Sequence, residues 1–299
     1  NEKDTLWVRT YYSEYDREEI DASLKKIYTI LHSDGGNETI PFLNVDAIDY
    51  CTFGNSKPFR IKIRNVLNDN YTYFYVKKAD ASRIYGLELE HILSPHNLNF
   101  LVYKDTLIEE HISGIPGDDF IKEFLPKCTE SEKSQIAKEF VKFKERCLVR
   151  LLGDMRSYNY VIIPTHDFDK IIYKVRAIDF DQQSFEGNLK VYDLQFLKEN
   201  FKIVDMVNKK LDKKSITQYK LEERSYMAKR IISSPRRATS LIKCMKSDTI
   251  SFPNNVQLLK KHLIKYVGDV KFKECNNMGD ILETILIFVK RNYQDVLTK

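Results

Sequence analysis

The 299-residue sequence predicts an α+β protein of two lobes, a small antiparallel β lobe with one helix and a larger, mainly helical C-terminal lobe. Three observations carry that expectation. Short alternating apolar runs separated by turn residues fill the stretch up to about residue 112. The segment GIPGDD (114–119) then marks a crossing. Beyond it apolar residues recur at helical spacing almost to the end, interrupted by one hairpin. The expected divisions are a helical extension over 1–44, the small lobe over 45–113 and the large lobe over 114–299 with a basic C-terminal helical region. A chain of this length can bury a sizeable core, and roughly 100–200 residues per domain allows two.

The first helix is expected over 14–33, where Ile20, Leu24, Ile27, Ile30 and Leu31 follow helical spacing before SDGGN stops it. VDAIDY (45–50) reads as a strand. FRIKIRNVL sets Phe59, Ile61 and Ile63 in alternation, and with TYFYVKKA across the turn sequence NDN it forms a hairpin. SRIYGLELEHIL (82–93) fits a helix, and NFLVYKD and TLIEEHI form a second strand pair around Lys104 and Asp105. Thr129 to Leu152 opens with a Thr-x-Ser-Glu cap and carries an apolar stripe through Ile136, Phe140, Phe143 and Cys147, so a long helix is expected. YNYVII and KIIYKVRAI flank PTHDFDK as a hairpin with an enlarged turn. From residue 190 the pattern is helical, punctuated by SSPRR and SFPNN. No internal repeat or low-complexity tract interrupts it.

With 42% hydrophobic and 30% charged residues the composition is that of an ordinary soluble globular protein, and a net charge of +5 does not by itself point to nucleic acid. The five cysteines are scattered and form no CxxC pair, which argues against a disulfide partner or a zinc site and suits a reducing cytoplasm. The most apolar late segment, ILETILIFV, contains Glu283 and is too short to span a bilayer. NEKDTLWVRT lacks the apolar core of a signal peptide, so a soluble cytoplasmic protein is expected. His91, His96, His111 and His166 have no metal-ligand spacing and read as ordinary polar residues.

Four short motifs carry chemistry. FYVKKAD ends a strand with Lys77 after alternating Phe74, Tyr75 and Val76, while Lys78 points to the opposite face; alone, the pair reads equally well as a solvent-facing strand end. YGLELEHIL carries Glu88 and Glu90, two positions apart, so only one of them can face a given partner. GDMRSYN places Asp154 and Asn159 five residues apart, with Arg156 between them. AIDFDQQ sets Asp179 and Asp181 at the end of an apolar run. Carboxylates and an amide at the ends of two strands suggest a metal site of hard oxygen donors.

In this order, on these elements, the motifs resemble the protein-kinase-like superfamily over roughly residues 45–200. The resemblance implies a nucleotide-binding small lobe and a catalytic large lobe, with ATP and Mg²⁺ as cofactors. Lys77 resembles the strand lysine that meets the α- and β-phosphates, oriented by Glu88, with Glu90 as the alternative. Asp154 to Asn159 reproduces the Asp-x-x-x-x-Asn catalytic loop, in which Asp154 accepts a hydrogen bond from the attacking hydroxyl and Asn159 binds a cation without adding charge. Arg156 stands where such enzymes keep a cation near the transferred phosphoryl group. Asp179 resembles the metal aspartate of Asp-Phe-Gly. Asp181 replaces the glycine and is either a ligand for a second Mg²⁺ or an acceptor of backbone hydrogen bonds. LIEEHIS resembles the hinge, whose backbone from Glu110 to Ile112 meets adenine; an edge strand is the plainer reading.

Leu152-Gly153 replaces the usual His-Arg. With Ile-Asp-Phe-acid, this makes the loops most similar to aminoglycoside and choline phosphotransferases and phosphoinositide kinases. Control by a phosphorylated activation loop is then not expected. CTFGNSKPF offers the single glycine Gly54 where protein kinases carry several. The implied function is ATP- and Mg²⁺-dependent transfer of the γ-phosphoryl group to a hydroxyl of a small molecule or protein. A pseudokinase-like nucleotide-binding or scaffolding module is one alternative, although none of its signature losses is seen. A protein Ser/Thr kinase or a nucleotidyl transferase using the same site is another. Residues 209–246 hold 12 Lys and Arg against 3 Asp and Glu, which reads as a docking face for an anionic partner, phosphorylated or nucleic acid, or more plainly as a solvated helical face.

Overall fold

The computed structural model describes residues 6–32, 37–53, 56–168 and 170–297, and the protein is α+β. It divides into two compact units, Asn1–Asp80 with Leu98–Ile112, and Ala81–Asn97 with Ser113–Lys299. The leading helix belongs with the smaller unit, and the helix after residue 80 with the larger. Gly54, the glycine expected in the nucleotide loop, and residues 33–36 of SDGGN lie outside the described residues.

The smaller unit is an antiparallel sheet with α1 (Glu14–His32) on one face. Its strands are β1 (Trp7–Arg9), β2 (Leu43–Cys51), β3 (Phe59–Asn65), β4 (Asn70–Lys78), β5 (Phe100–Tyr103) and β6 (Thr106–Glu110), in the order β1-β2-β3-β4-β6-β5. Alternation assigns the faces. Ile48, Ile61, Ile63 and Phe74 point to one side and form a core with Leu31, packed by Leu24 and Ile27 of α1. The residues between them fall on the other side, where register aligns Asp49, Arg60, Tyr75 and Glu109 in one row across β2, β3, β4 and β6. The β3–β4 turn follows from its asparagines: Asn65 accepts from the Leu67 N–H (3.0 Å), Asn68 accepts from the Asn70 N–H (3.0 Å), and Asp69 takes φ = 54°.

The larger unit contains α2 (Ala81–Leu93), then β7 (Ile115–Pro116) and a one-turn α3 (Gly117–Asp119) that continues irregularly to Lys127. After these come α4 (Glu130–Arg150), the hairpin of β8 (Tyr160–Asp167) and β9 (Lys170–Ala177), and five further helices. These are α5 (Phe201–Lys210), α6 (Lys213–Ser233), α7 (Pro235–Ser247), α8 (Pro253–Val267) and α9 (Met278–Leu297). The expected cap is real: Thr129 accepts from the Glu132 N–H (3.3 Å), and Glu132 accepts from the Thr129 N–H (2.7 Å). The α4 stripe of Ile136, Phe140, Phe143 and Cys147 is buried, and both phenylalanine rings lie edge-on to Tyr160 of β8. Leu148, Met227, Ile231, Met245, Leu282 and Leu286 belong to one core built by α4, α6, α7 and α9. Pro235 and Pro253 each open a helix, where a missing N–H costs nothing.

One expectation is corrected. The turn around PTHDFDK is not enlarged, because β8 runs to Asp167 and pairs Thr165 with Ile172 and His166 with Ile171. Pro164 is tolerated inside β8 because β7 pairs only with Val161 and Ile162, leaving the rest of that edge without a ladder to break. All five cysteines are free thiols. Among the described residues, no helix is long and apolar enough to cross a membrane.

Candidate functional site

The loop after α4 is held by its backbone before any side chain acts. Leu151 ends the helix in the left-handed region (φ = 58°). The Gly153 N–H then donates to the Gln182 carbonyl (3.1 Å), the Asp154 N–H to Val191 (3.1 Å), and the Ser184 N–H back to Leu151 (2.8 Å). Gly153 sits in a tight space, since a Cβ would stand 3.1 Å from the Val191 side chain and 3.2 Å from the Gln182 carbonyl. Asp154 also sits at positive φ (54°), a region that a short acidic side chain tolerates better than most.

On this stand four of the expected residues come together. Arg156 donates through Nε to Asp154 Oδ1 (2.7 Å) and through Nη1 to Glu199 Oε1 (3.2 Å). The hydrogen bond to Asp154 and its charge raise the pKa of Arg156. Asn159 donates its amide N–H to the Asp154 carbonyl (2.8 Å), which leaves the amide oxygen for a cation. The Asn159 carbonyl accepts from the Ile178 N–H (3.0 Å), and Tyr160 pairs with Ala177, so the start of β8 is tied to the residue before Asp179. Asp179 Oδ1 accepts from the Asp181 N–H (3.3 Å).

Asn159 and Asp179 are hard oxygen donors, and Mg²⁺ needs few of these because it keeps waters and takes phosphate oxygens. Among the described residues, no three His, Cys, Asp or Glu side chains gather as a metal cluster, so a cation at this loop would complete its shell from outside the protein. Asp181 fits a ligand role less well, because its carboxylate lies 3.4 Å from the Arg83 guanidinium.

Behind the loop is an ionic brace that sequence reasoning missed. Arg150, 1% exposed, donates to the Glu90 carboxylate, to the Gly86 carbonyl (2.7 Å) and to Gln183 Oε1 (3.4 Å). Gln183 returns its amide N–H to the carbonyls of Arg150 and Leu151, the latter at 3.2 Å. Burial pushes the Glu90 carboxyl up, but the Arg150 and Arg146 guanidiniums outweigh it and hold the group below its usual value. Gly86 lets α2 lie close against the segment from Phe180 to Gln183, since a Cβ would stand 2.8 Å from the Cβ of Phe180. The available signal was an arginine at the end of an apolar stripe, in LVRLLGD.

Both glutamates expected for Lys77 therefore have other partners: Glu90 meets Arg150, and Glu88 meets Arg237 (2.8 Å) at the surface. In the smaller unit, Lys77 Nζ lies 2.7 Å from Glu109 Oε2, with side chains 9% and 6% exposed. The polar face of the sheet surrounds this pair. Arg60 meets Asp49 (3.2 Å) and stacks over Trp7 (4.3 Å), and the Tyr75 hydroxyl lies 3.0 Å from His111 Nδ1. Burial pushes the Tyr75 hydroxyl up to about 12, while burial and then Arg60 lower the pKa of His111. The signal for Glu109 was alternation along LIEEHIS, which separates it from Glu110, and strand register then puts it on the face of Lys77.

The plainer reading of that segment as an edge strand is corrected, because β6 lies between β4 and β5. The amides of Glu110 and His111 already donate to Asn99 (3.0 Å) and Tyr73 (3.2 Å), and the Glu110 side chain accepts from Asn99 (3.0 Å). Ile112 follows, at the end of this unit. A scan against protein-family models matches no family, and a search of curated proteins finds no match.

Proposed function

We propose that the chain is an ATP- and Mg²⁺-dependent phosphotransferase of two-lobed, kinase-like fold that moves the γ-phosphoryl group to a hydroxyl of a small molecule or protein. The observation that carries this is the gathering of Asp154, Arg156, Asn159 and Asp179 on one backbone-fastened loop and hairpin. Asp154 accepts the hydrogen bond of the attacking hydroxyl and takes its proton as the new oxygen–phosphorus bond forms and the bond from the γ-phosphorus to the β–γ bridging oxygen breaks, with ADP as the leaving group. Arg156, already drawn to Asp154, neutralises charge on the transferred group. The Asn159 amide oxygen and the Asp179 carboxylate hold Mg²⁺, which when bound offsets charge on the phosphate oxygens. Asp181, facing Arg83, fastens the hairpin end instead of holding a second ion. Lys77, kept in place by Glu109, meets the α- and β-phosphates, and backbone near Ile112 meets adenine. Catalysis on this scheme is positioning and electrostatics, with no covalent intermediate on the protein.

The test is turnover of γ-labelled ATP by the full chain and two variants. Asp154→Asn is expected to keep nucleotide binding and lose about 10²–10⁴-fold in turnover, as expected when a proton acceptor is removed. Asp179→Asn is expected to lose Mg²⁺-dependent binding itself. Wild-type turnover in both variants would sink the assignment.

A further inference from the structure

The helical face of α6 and α9 has no task in the phosphotransferase scheme, and it is not uniform. A groove of about 890 Å³ runs along it, lined among others by Lys213, Lys214, Leu221, Tyr226, Lys229 and Tyr293. Lys213, Thr217, Leu221, Ser225 and Lys229 stand four residues apart in one row along the groove, which spans about 24 Å at 1.5 Å per residue while winding roughly 160° around α6. Leu221 in the middle of that row and Tyr226 beside it are 48% and 41% exposed, and the buried Val289 of α9 lines the same groove.

Charge at the groove is just as uneven. The neighbouring acids are already engaged: Asp212 accepts from the Ser215 N–H (2.7 Å), Glu222 meets Lys142 (3.0 Å), and Glu223 meets Arg146 (2.6 Å). Arg224, midway along, is spent on the buried Glu145 (2.5 Å). Lys213 and Lys214 meet no carboxylate among the described residues, and Lys229 rests over the Tyr293 ring (5.8 Å). Asp212 keeps its charge beside Lys213 and Lys214 and offsets one of the two, and Glu222, which lines the groove, is paired with Lys142, so the groove presents net positive charge at both ends and apolar surface between.

We infer that this groove docks an acidic amphipathic helix of about four turns from a protein partner. Leu221, Tyr226 and Tyr293 would receive the apolar face, with carboxylates over Lys213 and Lys214 at one end and Lys229 at the other. An apolar helical stripe set into an apolar groove is a common recognition mode, and the terminal charges would fix register and speed encounter. A nucleic-acid strand fits less well. Its phosphates repeat along its whole length, whereas the middle of this groove offers Leu221 and a cation already paired.

The test pans a random 16-residue peptide display library on the full chain and measures the recovered peptides by fluorescence anisotropy. The controls are the K213E/K214E/K229E triple variant and Leu221→Ser, each checked for unchanged melting. Recovered peptides should combine Glu and Asp with apolar residues at i, i+3, i+4 and i+7, and both variants should weaken them by about tenfold or more. The inference is overturned if no such pattern is recovered or if the peptides bind both variants as they bind wild type. It is equally overturned if the triple variant instead loses tighter binding of a single-stranded oligonucleotide, or loses self-association of the chain.

Discussion

Each unit carries a cation–carboxylate pair almost sealed from water, and the two do different work. Lys77 and Glu109 lie on the polar face of a sheet, one strand apart, in positions set by register. Arg150 and Glu90 join two helices beneath the loop of Asp154, and the other two guanidinium nitrogens donate to Gln183 and to the Gly86 carbonyl. Lys77 has one carboxylate partner, whereas each of the three guanidinium nitrogens of Arg150 is tied to a different protein acceptor. A pair with spare donors can place a charge for a substrate. A pair tied at every nitrogen holds chain segments together, and its worth lies in what is lost when one partner goes.

The largest expected effect follows from that enclosure, in which the Arg150 side chain is 1% exposed. Arg150→Met should cost about 3–5 kcal/mol in urea unfolding, because Glu90 is left buried and unpaired, and adding Glu90→Leu should recover part of the loss. A cost below about 1 kcal/mol would break the contrast between the pairs. Next is a pH effect beside the same brace. Burial, then Arg146 and Arg176, lower the pKa of His96 from 6.5 to about 4. The folded state thus favours neutral His96, so its contribution to stability is complete above pH 6.5 and is lost as pH falls toward 4, with an upper bound of roughly 3 kcal/mol. A melting series across that window should show the fall, and His96→Asn should flatten it.

Glu109→Gln sharpens the comparison from the other side. The Lys77 ammonium can reach water along its flexible stem, so the loss in urea unfolding should be about 1–2 kcal/mol, smaller than for Arg150→Met. Glu88→Ala is expected to be the mildest, below about 1 kcal/mol, because its pair with Arg237 sits in solvent. Glu88 and Glu90 lie on one helix two residues apart, so the gap between their effects measures enclosure directly.

What could be read from the sequence was local. The Thr129–Glu132 box, the asparagine-built turn between β3 and β4, and the Asp154-to-Asn159 spacing each lie within a few residues, where sequence offsets translate into geometry. Partners of buried charges come from far along the chain: Arg150 meets Glu90 across 60 residues, and no periodicity encodes that distance. The run PTHD misled for a different reason. Its turn-like composition is tolerated in a strand whose outer edge is unpaired, so propensity yielded to context. Alternation sets Glu109 and Glu110 on opposite faces of their strand, but strand register decides which of them shares the face of Lys77.

The most direct measurement is a thermal-shift titration of the full chain with ATP, with and without Mg²⁺, run beside Asp179→Asn. A ligand that binds only the folded state raises its melting temperature, by an amount that grows with ligand concentration over Kd. A rise that requires Mg²⁺ in the wild type and disappears in Asp179→Asn is the expected result. No rise at millimolar nucleotide, or an equal rise in the variant, would contradict the assignment of Asp154, Asn159 and Asp179 to a phosphotransferase site.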